Sequence, residues 1–325
     1  MSDTPRFVHI REEGPREGFQ IEPGPISTAD KIRLIDALSD TGIQHIQTVS
    51  FVNPKAVPGW ADAEEVVQGM KKRPGVEYTA LWFNEKGLQR ALAHRDKLSV
   101  SGALIMSASD IFSQKNLNRS RDEHLGVMRS QAAALAAAGA PITRVGVMAA
   151  FGCNYSGDVP VETVIESAAQ GFEVAASVGE RPKDLTLADS MGWCTPGRTE
   201  RLVGAVRERW PDVNIILHLH DTRGMGIASA HAAIRMGVTH FDSTVAGLGG
   251  CPFAGRPGAS GNIASEELVL LCHEMGIETG IDLEALIDVA RMAEEMVGHS
   301  LPSTLLRAGS MGACRTNAGL TGFAA

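Results

Sequence analysis

The stretch VNIILHLH at residues 213–220 decides the fold expected for this chain. An apolar run of this kind is typical of a buried parallel strand, and here it ends in His218 and His220. Side chains alternate between the two faces of a strand, so both imidazoles point to one side, about 6–7 Å apart along the backbone. This spacing suits two ligands of one metal ion. It equally suits two histidines that line a barrel without a ligand.

The rest of the chain repeats the same pattern. Short apolar strands alternate with amphipathic helices from one end to the other, which implies parallel strands. Eight such units favour closure into a (β/α)8 TIM barrel within the α/β class. The alternative, an open doubly wound sheet, is usually announced by a glycine-rich turn after the first strand, and GPREG at 14–18 is no such turn. The predicted strands are 7–13, 45–49, 76–81, 98–106, 142–149, 184–188, 213–220 and 240–245.

The alternation has no break long enough for a linker, so the sequence predicts a single domain over residues 1–325. The barrel is expected to span about 7–276. A C-terminal extension, the helix Leu283–Val297 and a glycine-rich tail, covers about 282–325 and is taken to be exposed. A homodimer contact, if there is one, is expected there.

Composition excludes several function classes. Hydrophobic residues make up 44% of the chain, aromatic residues only 5%, and there are 35 glycines, which favours tight α/β packing. A net charge of −8 argues against nucleic acid or an anionic membrane as a partner. The five cysteines are scattered and form no CxxC pair, which fits a reducing cytoplasm rather than a disulfide framework. The sequence has no signal-peptide pattern and no apolar run of membrane-spanning length, so we expect a cytoplasmic protein.

In a barrel of this kind, the C-terminal strand ends line the mouth where catalysis takes place. Two imidazoles with a carboxylate and an amide form a mixed ligand set that suits an octahedral divalent ion, Mg²⁺ or Mn²⁺ foremost. Two histidines and one carboxylate also match non-haem Fe(II) oxygenases. The polar residues predicted at this mouth are Arg16, Glu17, Gln20, Gln47, Ser50, Asp189, His218, His220 and Asn262.

Four stretches together resemble the hydroxymethylglutaryl-CoA lyase family of metal-dependent TIM-barrel enzymes. They are EGPREGFQ (13–20), TVSFV (48–52), HLHDT (218–222) and VAGLGGCP (245–252). The resemblance runs from about residue 8 to about residue 301 and implies an acyl-CoA substrate. It implies cleavage of a 3-hydroxy-3-methylglutaryl-CoA-like thioester to acetyl-CoA and a 3-oxo acid.

The resemblance also assigns residues to roles. Glu17, His218, His220 and Asn262 fall on the metal-ligand positions, Arg16 on the catalytic arginine and Cys251 on the cysteine of a mobile loop. A cysteine on that loop could transfer a proton with water excluded, but it could also be a small loop hydrophobe. Further candidates are Gln47 and Asp189 for catalysis, Gln20, Ser50, Lys115, Asn116 and Arg256 for substrate binding, and Asp221 and Glu266 for supporting the ligands. Asp221 is also placed to begin a helix.

Three departures from the family pattern lie in the expected site. Glu17 stands where the family has aspartate, Gln47 stands where it has glutamate, and residues 255–257 are interposed after Cys251. The neutral amide of Gln47 is expected to leave Arg16 freer to pair with substrate. Metal-dependent lyase chemistry should survive while the acyl group varies. Citramalyl-CoA, a longer-branched thioester, a Claisen-type synthase reaction and an inactive CoA-binding homologue remain alternatives.

Overall fold

The computed structural model describes residues 4–250 and 259–312. Each of the eight predicted strands is present, with shifts of a few residues at some ends. The strands are β1 (His9–Glu12), β2 (His45–Ser50), β3 (Glu77–Leu81), β4 (Gly102–Ser107), β5 (Ile142–Met148), β6 (Asp184–Ala188), β7 (Asn214–His218) and β8 (His240–Ser243).

Helices follow each strand and cover the outside of the sheet. The helices are α1 (Phe19–Ile21), α2 (Thr28–Ser39), α3 (Ala63–Gly69), α4 (Glu85–Leu92), α5 (Asp110–Leu117), α6 (Arg121–Ala137), α7 (Val161–Ser177), α8 (Pro196–Arg209), α9 (Gly226–Arg235), α10 (Ser265–Glu274), α11 (Leu283–Val297) and α12 (Leu305–Ala308). Ser27 caps α2 as its sequence indicates, since its hydroxyl accepts from the backbone N–H of Asp30 at 3.1 Å.

The strands pair in the order β3-β2-β1-β8-β7-β6-β5-β4, and every pair is parallel. Pairing of β8 with β1 joins the last strand to the first, which confirms the TIM-barrel prediction. Between β3 and β4 the described residues form no ladder. One backbone hydrogen bond, from Ser99 N–H to the carbonyl of Tyr78 at 2.8 Å, takes its place. The barrel therefore has a seam between β3 and β4.

The largest boundary difference lies at this seam. The apolar pattern predicts a strand from residue 98, but β4 begins at Gly102. Leu98 is still part of the turn that ends the preceding helix, because its N–H donates to the carbonyl of His94 at 2.8 Å. Periodicity cannot show this, since a buried turn residue and a buried strand residue are both apolar.

The C-terminal helix α11 differs from its expectation. Its apolar side chains, among them Leu286, Ile287 and Ala290, are buried, and the helix packs against α2 and the turn after β8. The exposed helix predicted from the sequence is thus part of the barrel's own outer layer. None of the helices in residues 4–250 and 259–312 combines the length and the apolar character needed to cross a membrane.

Candidate active site

A wide turn after β1 places the first two site residues. The backbone forms a π-helical turn over Gly14–Gly18, which carries Arg16 and Glu17 into the C-terminal mouth of the barrel. Buried Glu12 holds this turn, because its carboxylate accepts from the N–H groups of Gly14 at 2.7 Å and Val245 at 2.9 Å. A Cβ on Gly14 would lie 2.5 Å from that carboxylate, so the turn requires glycine here. Single π turns inside helical segments often occur at functional sites.

The histidine pair lies beside this turn, as the strand periodicity predicts. His218 ends β7, and His220 follows two residues later on the same side, with ring centroids 5.3 Å apart. His218 Nε2 lies 3.7 Å from a carboxylate oxygen of Glu17. Its other nitrogen, Nδ1, lies 3.4 Å from the carboxylate of Asp242 on β8. Asp242 therefore orients the ring of His218 so that Nε2 faces the mouth.

Asn262 reaches the site through the segment that returns after β8. The backbones of His220 and Asn262 form an isolated antiparallel bridge, and Asp221 N–H donates to the carbonyl of Gly261 at 2.6 Å. The side-chain amide of Asn262 then donates to Glu17 at 3.0 Å. The structure thus brings together all four residues that the resemblance placed at metal-ligand positions.

These side chains fit a divalent metal ion. Ligand atoms of Glu17, His218 and His220 all lie within 4.8 Å of one another. Both ring nitrogens of His220 and the amide oxygen of Asn262 are buried without a hydrogen-bond partner among the described residues. A buried polar atom without a partner is costly, and coordination to a cation removes that cost. The donor set of carboxylate, imidazole and amide oxygen is one that hard or borderline divalent ions accept.

The pKa values of the two histidines and Glu17 are shifted in different directions. Burial, and to a smaller extent the neighbouring His218, lower the pKa of His220 to about 3. Burial also disfavours the charged form of His218, but Glu17, Asp242 and Glu13 outweigh it and raise its pKa to about 9. For Glu17, burial is opposed by Arg16 and the two histidines, which bring its pKa down to about 2. Glu17 is therefore ionised at neutral pH, as a metal ligand must be.

Arg16 is held by three partners. Its Nε donates to the side-chain oxygen of Gln47, and Nη2 contacts the carboxylates of Glu13 at 2.5 Å and Glu17 at 2.9 Å. The indole of Trp60 fixes the backbone, since Nε1 donates to the carbonyl of Arg16 at 3.2 Å. The expectation that neutral Gln47 frees Arg16 to pair with substrate stays a prediction, although two carboxylates still contact the guanidinium. Glu13 supplies a carboxylate on the same guanidinium.

Two residues of this cluster were missed by the sequence analysis. Glu13 was seen only as the end of the first strand, and Asp242 lies in the middle of β8 rather than at its end. Spacing could have identified Asp242, because it follows His240 by two residues on the same strand. Both side chains therefore point toward the barrel axis. Glu13, His218 and Asp242 form a second group of potential ligand atoms, which shares His218 with the first.

Two further candidates, Asp189 and Asp221, have other contacts. Both carboxylate oxygens of Asp189 accept from the backbone, one from Trp193 N–H at 2.6 Å and one from Cys194 N–H at 3.1 Å, so Asp189 shapes the loop after β6. Its catalytic role stays a prediction. Asp221 accepts from Gly226 N–H at 2.7 Å at the start of α9, which favours the helix-capping interpretation over support of the histidines.

Of the residues predicted to bind substrate, those that the structure describes lie at the end of β2 or on the helices that follow β1 and β4. The hydroxyl of Ser50 and the side-chain oxygen of Gln20 are buried without a hydrogen-bond partner in the described part of the chain. Lys115 and Asn116 lie on α5, where the Lys115 ammonium sits 4.9 Å from the ring centroid of Tyr155. Cys251 and Arg256 lie outside the described residues.

Glu266 supports a turn and has a raised pKa, from which we predict how stability depends on pH. It accepts from Ala246 N–H at 3.0 Å, and so supports the turn after β8 rather than a metal ligand. Burial raises its pKa from 4.5 to about 7. The folded state therefore holds more protons than the unfolded state between these values, and stability falls as pH rises through that window.

Glu266→Gln should abolish this loss. We expect the variant to gain up to about 3 kcal/mol relative to the native chain at pH 8 and to show a flatter pH dependence. Denaturant unfolding between pH 5 and pH 8 measures it, with Glu166→Gln, an exposed carboxylate on α7, as matched control. Burial also raises the pKa of Glu12 to about 7, so part of the pH dependence of stability should remain in the variant. A parallel pH profile for Glu266→Gln would contradict the assignment.

Comparison with known proteins agrees with this geometry. The chain matches the HMGL-like family over residues 8–293. It is 40% identical to a hydroxymethylglutaryl-CoA lyase of Bacillus subtilis, with 93% of this chain and 97% of that protein covered. The chain belongs to the hydroxymethylglutaryl-CoA lyase family. Membership confirms the resemblance drawn from the four sequence stretches and makes the chain a carbon–carbon lyase.

Other members of the lyase family are similar over the same extent. A Pseudomonas aeruginosa protein named 3-hydroxy-3-isohexenylglutaryl-CoA/hydroxymethylglutaryl-CoA lyase is 39% identical, covering 94% of this chain and 98% of that one. The structure of an HMG-CoA lyase from Acinetobacter baumannii, in complex with coenzyme A and 3-methylmalate, aligns with a TM-score of 0.82. It shares 36% identity, with 94% of this chain and 95% of that chain covered.

Proposed function

We propose that this chain cleaves 3-hydroxy-3-methylglutaryl-CoA, or a close 3-hydroxyacyl-CoA analogue, to acetyl-CoA and a 3-oxo acid. The observation that carries the proposal is the convergence of one guanidinium and one metal-ligand set in the same mouth. Arg16 contacts Glu17 at 2.9 Å, and Glu17 in turn lies against His218 and Asn262. The names of the relatives and the coenzyme A bound to the Acinetobacter baumannii enzyme support the substrate class.

The reaction sets clear demands on the site. The proton leaves the 3-hydroxyl group, the bond between C2 and C3 breaks, and C3 becomes a ketone. The electron pair of that bond passes to C2 as the enolate of the thioester, which takes up a proton to give acetyl-CoA. A divalent ion held by Glu17, His218, His220 and Asn262, which we propose is Mg²⁺ or Mn²⁺, would supply Lewis acidity at the hydroxyl.

Arg16 meets the second demand, stabilisation of negative charge. Its Nε and Nη2 are occupied by Gln47, Glu13 and Glu17, and within the described residues Nη1 makes no hydrogen bond. A guanidinium fixed on one side presents its free N–H groups in one direction without reorganising during the reaction. We assign this free edge to the oxyanion that develops on the substrate.

The second part of the proposal concerns selectivity between acyl groups. Ser50 and Gln20 each have a buried side-chain oxygen without a hydrogen-bond partner among the described residues. Such an oxygen favours a substrate that forms the missing hydrogen bond. Glu17 and Gln47 both contact Arg16, so their departure from the family pattern acts on one network rather than on two separate contacts. We propose Cys251, from the resemblance alone, as the proton-transfer group.

The activity is tested with a panel of thioesters: hydroxymethylglutaryl-CoA, citramalyl-CoA and a longer-branched 3-hydroxyglutaryl-CoA. We expect acetyl-CoA and an oxo acid to form in equal amounts, a 3-oxo acid from the two 3-hydroxyglutaryl thioesters and a 2-oxo acid from citramalyl-CoA. Chelation should lower kcat at least about a hundredfold, because the metal would make the 3-hydroxyl more acidic, and Mg²⁺ or Mn²⁺ should restore it. Acetyl-CoA formation that ignores chelation would contradict the metal-assisted route. Condensation of acetyl-CoA with a 2-oxo acid, without cleavage of any panel member, would favour a synthase instead.

A further inference from the structure

A second cavity lies at the opposite end of the barrel from the catalytic mouth. It has a volume of about 630 Å³ and is lined by the first residues of several strands, including His9, His45, Glu77 and His240. N-terminal strand ends form the lower face of a TIM barrel, which usually serves stability. Glu77 is half exposed at its rim, so the cavity opens to solvent. Its volume lies within the range of small-molecule sites.

Two arginines face each other across this cavity. Arg11 projects from β1 and Arg144 from β5, strands that stand four places apart in the barrel and so on opposite walls. Arg11 is partly paired, with Nη2 3.3 Å from His45 Nε2 and Nε 3.6 Å from the carboxylate of Asp242. Arg144 has no hydrogen bond and no carboxylate within 4.0 Å among residues 4–250 and 259–312.

The acidic groups nearby are engaged elsewhere. Asp184 is the register partner of Arg144 on β6, but its carboxylate accepts from the side chain of Asn214 at 3.2 Å. Glu77 bonds to His45 at 3.1 Å, and Asp242 is shared between Arg11 and His218. Burial and Arg11 lower the pKa of Arg144, while the more distant carboxylates of Asp242, Glu13 and Asp184 oppose this shift. Arg144 is half-buried, and its guanidinium faces an open volume in which an anion could pair with it.

The imidazoles add donors to the same space. His240 stacks on His9 with ring centroids 4.6 Å apart, and its Nδ1 lies 2.9 Å from the hydroxyl of Thr239. Burial lowers the pKa values of His240 and His45, so both are neutral hydrogen-bonding groups near pH 7 rather than added charges. The cavity thus offers two fork-shaped cations and neutral donors around one open volume.

We propose that this cavity is a binding site for a small oxyanion, a phosphate or a carboxylate, held between the guanidinium groups of Arg11 and Arg144. Guanidinium binds such anions with two parallel hydrogen bonds, and Arg144 has its whole fork free for this. Gln47 and Asp242 form the layer between this site and the catalytic mouth, since one contacts Arg16 and the other His218. The inference does not depend on the proposed lyase substrate.

Binding is tested by thermal unfolding of the full metal-free chain, so that the anion cannot bind through a metal ion. Inorganic phosphate is titrated at constant ionic strength set with NaCl, and malonate is the carboxylate probe. We expect the unfolding midpoint to rise by about 2 °C or more at saturation with at least one probe. The probe that acts identifies the class of anion.

Three variants locate the effect. Arg144→Gln should lose the shift, and Arg144→Lys, which keeps the charge without the fork, should weaken it. Without anion, Arg144→Gln should be close to the native chain in stability, because the half-buried guanidinium makes no hydrogen bond or ion pair with the described residues that the change could remove. Arg129→Gln, an exposed arginine on α6, is the matched control and should keep the full shift. Equal shifts in all variants, or no shift with either probe in the native chain, would overturn the proposal.

Discussion

Replacement of His220 by alanine is expected to abolish metal-dependent turnover and to weaken divalent-metal binding at least about a hundredfold, since loss of mere supporting groups already costs 10–100-fold. The fold should survive the change. Neither ring nitrogen of His220 has a hydrogen-bond partner among the described residues, so the variant breaks no protein hydrogen bond there. Metal content after dialysis and titration calorimetry with Mn²⁺ measure the loss.

The control for this experiment is His231→Ala, an exposed histidine on α9 that should bind metal like the native chain. Thermal unfolding of both variants in the absence of metal separates loss of ligation from loss of fold. If His220→Ala keeps full metal occupancy, the ligand set assigned here is wrong, whatever happens to the rate.

Arg16→Lys is expected to lower kcat by about 10²-fold or more while leaving metal affinity within a few-fold of the native value. Lysine keeps the positive charge beside Glu13 and Glu17, but it cannot contact both of them and Gln47 while also presenting a directed N–H group. The change therefore removes positioning rather than charge. Turnover at saturating metal and substrate gives kcat, and calorimetry gives the metal affinity.

Comparison of kcat with metal affinity distinguishes the two roles that Arg16 could have. A purely structural arginine would alter stability and metal affinity together, with kcat following metal occupancy. An arginine that stabilises the developing oxyanion lowers kcat at full occupancy. Native kcat in Arg16→Lys would contradict the role proposed for its free edge.

Much of the fold could be predicted because it depends on local patterns. Eight apolar strands separated by amphipathic helices allow few arrangements, and right-handed parallel connections leave the barrel as the simplest one. The same periodicity placed His218 and His220 on one side. The seam could not be predicted in this way, because Leu98 would be apolar and buried in a strand just as it is in the turn.

Site residues at the ends of strands could be predicted from the sequence, but those inside the barrel could not. Asp242 pairs in register with Arg11 on one side and with His218 on the other, a position that only the strand order reveals. Asn262 is brought to His220 by a bridge between distant segments, so the resemblance, not the local sequence, pointed to it. The lower cavity likewise depends on two side chains that meet from opposite walls.

The seam between β3 and β4 has a consequence for how the protein can be altered. The strands and loops that carry the proposed metal ligands, β1, β7 and the segment after β8, are neighbours in the middle of the sheet order, while β3 and β4 are its two ends. A break in the chain between β3 and β4 leaves the strands that carry the proposed ligands, here called the catalytic arc, and all of their pairing intact. Circular permutation with new termini in the connection after β3 would thus preserve the catalytic arc.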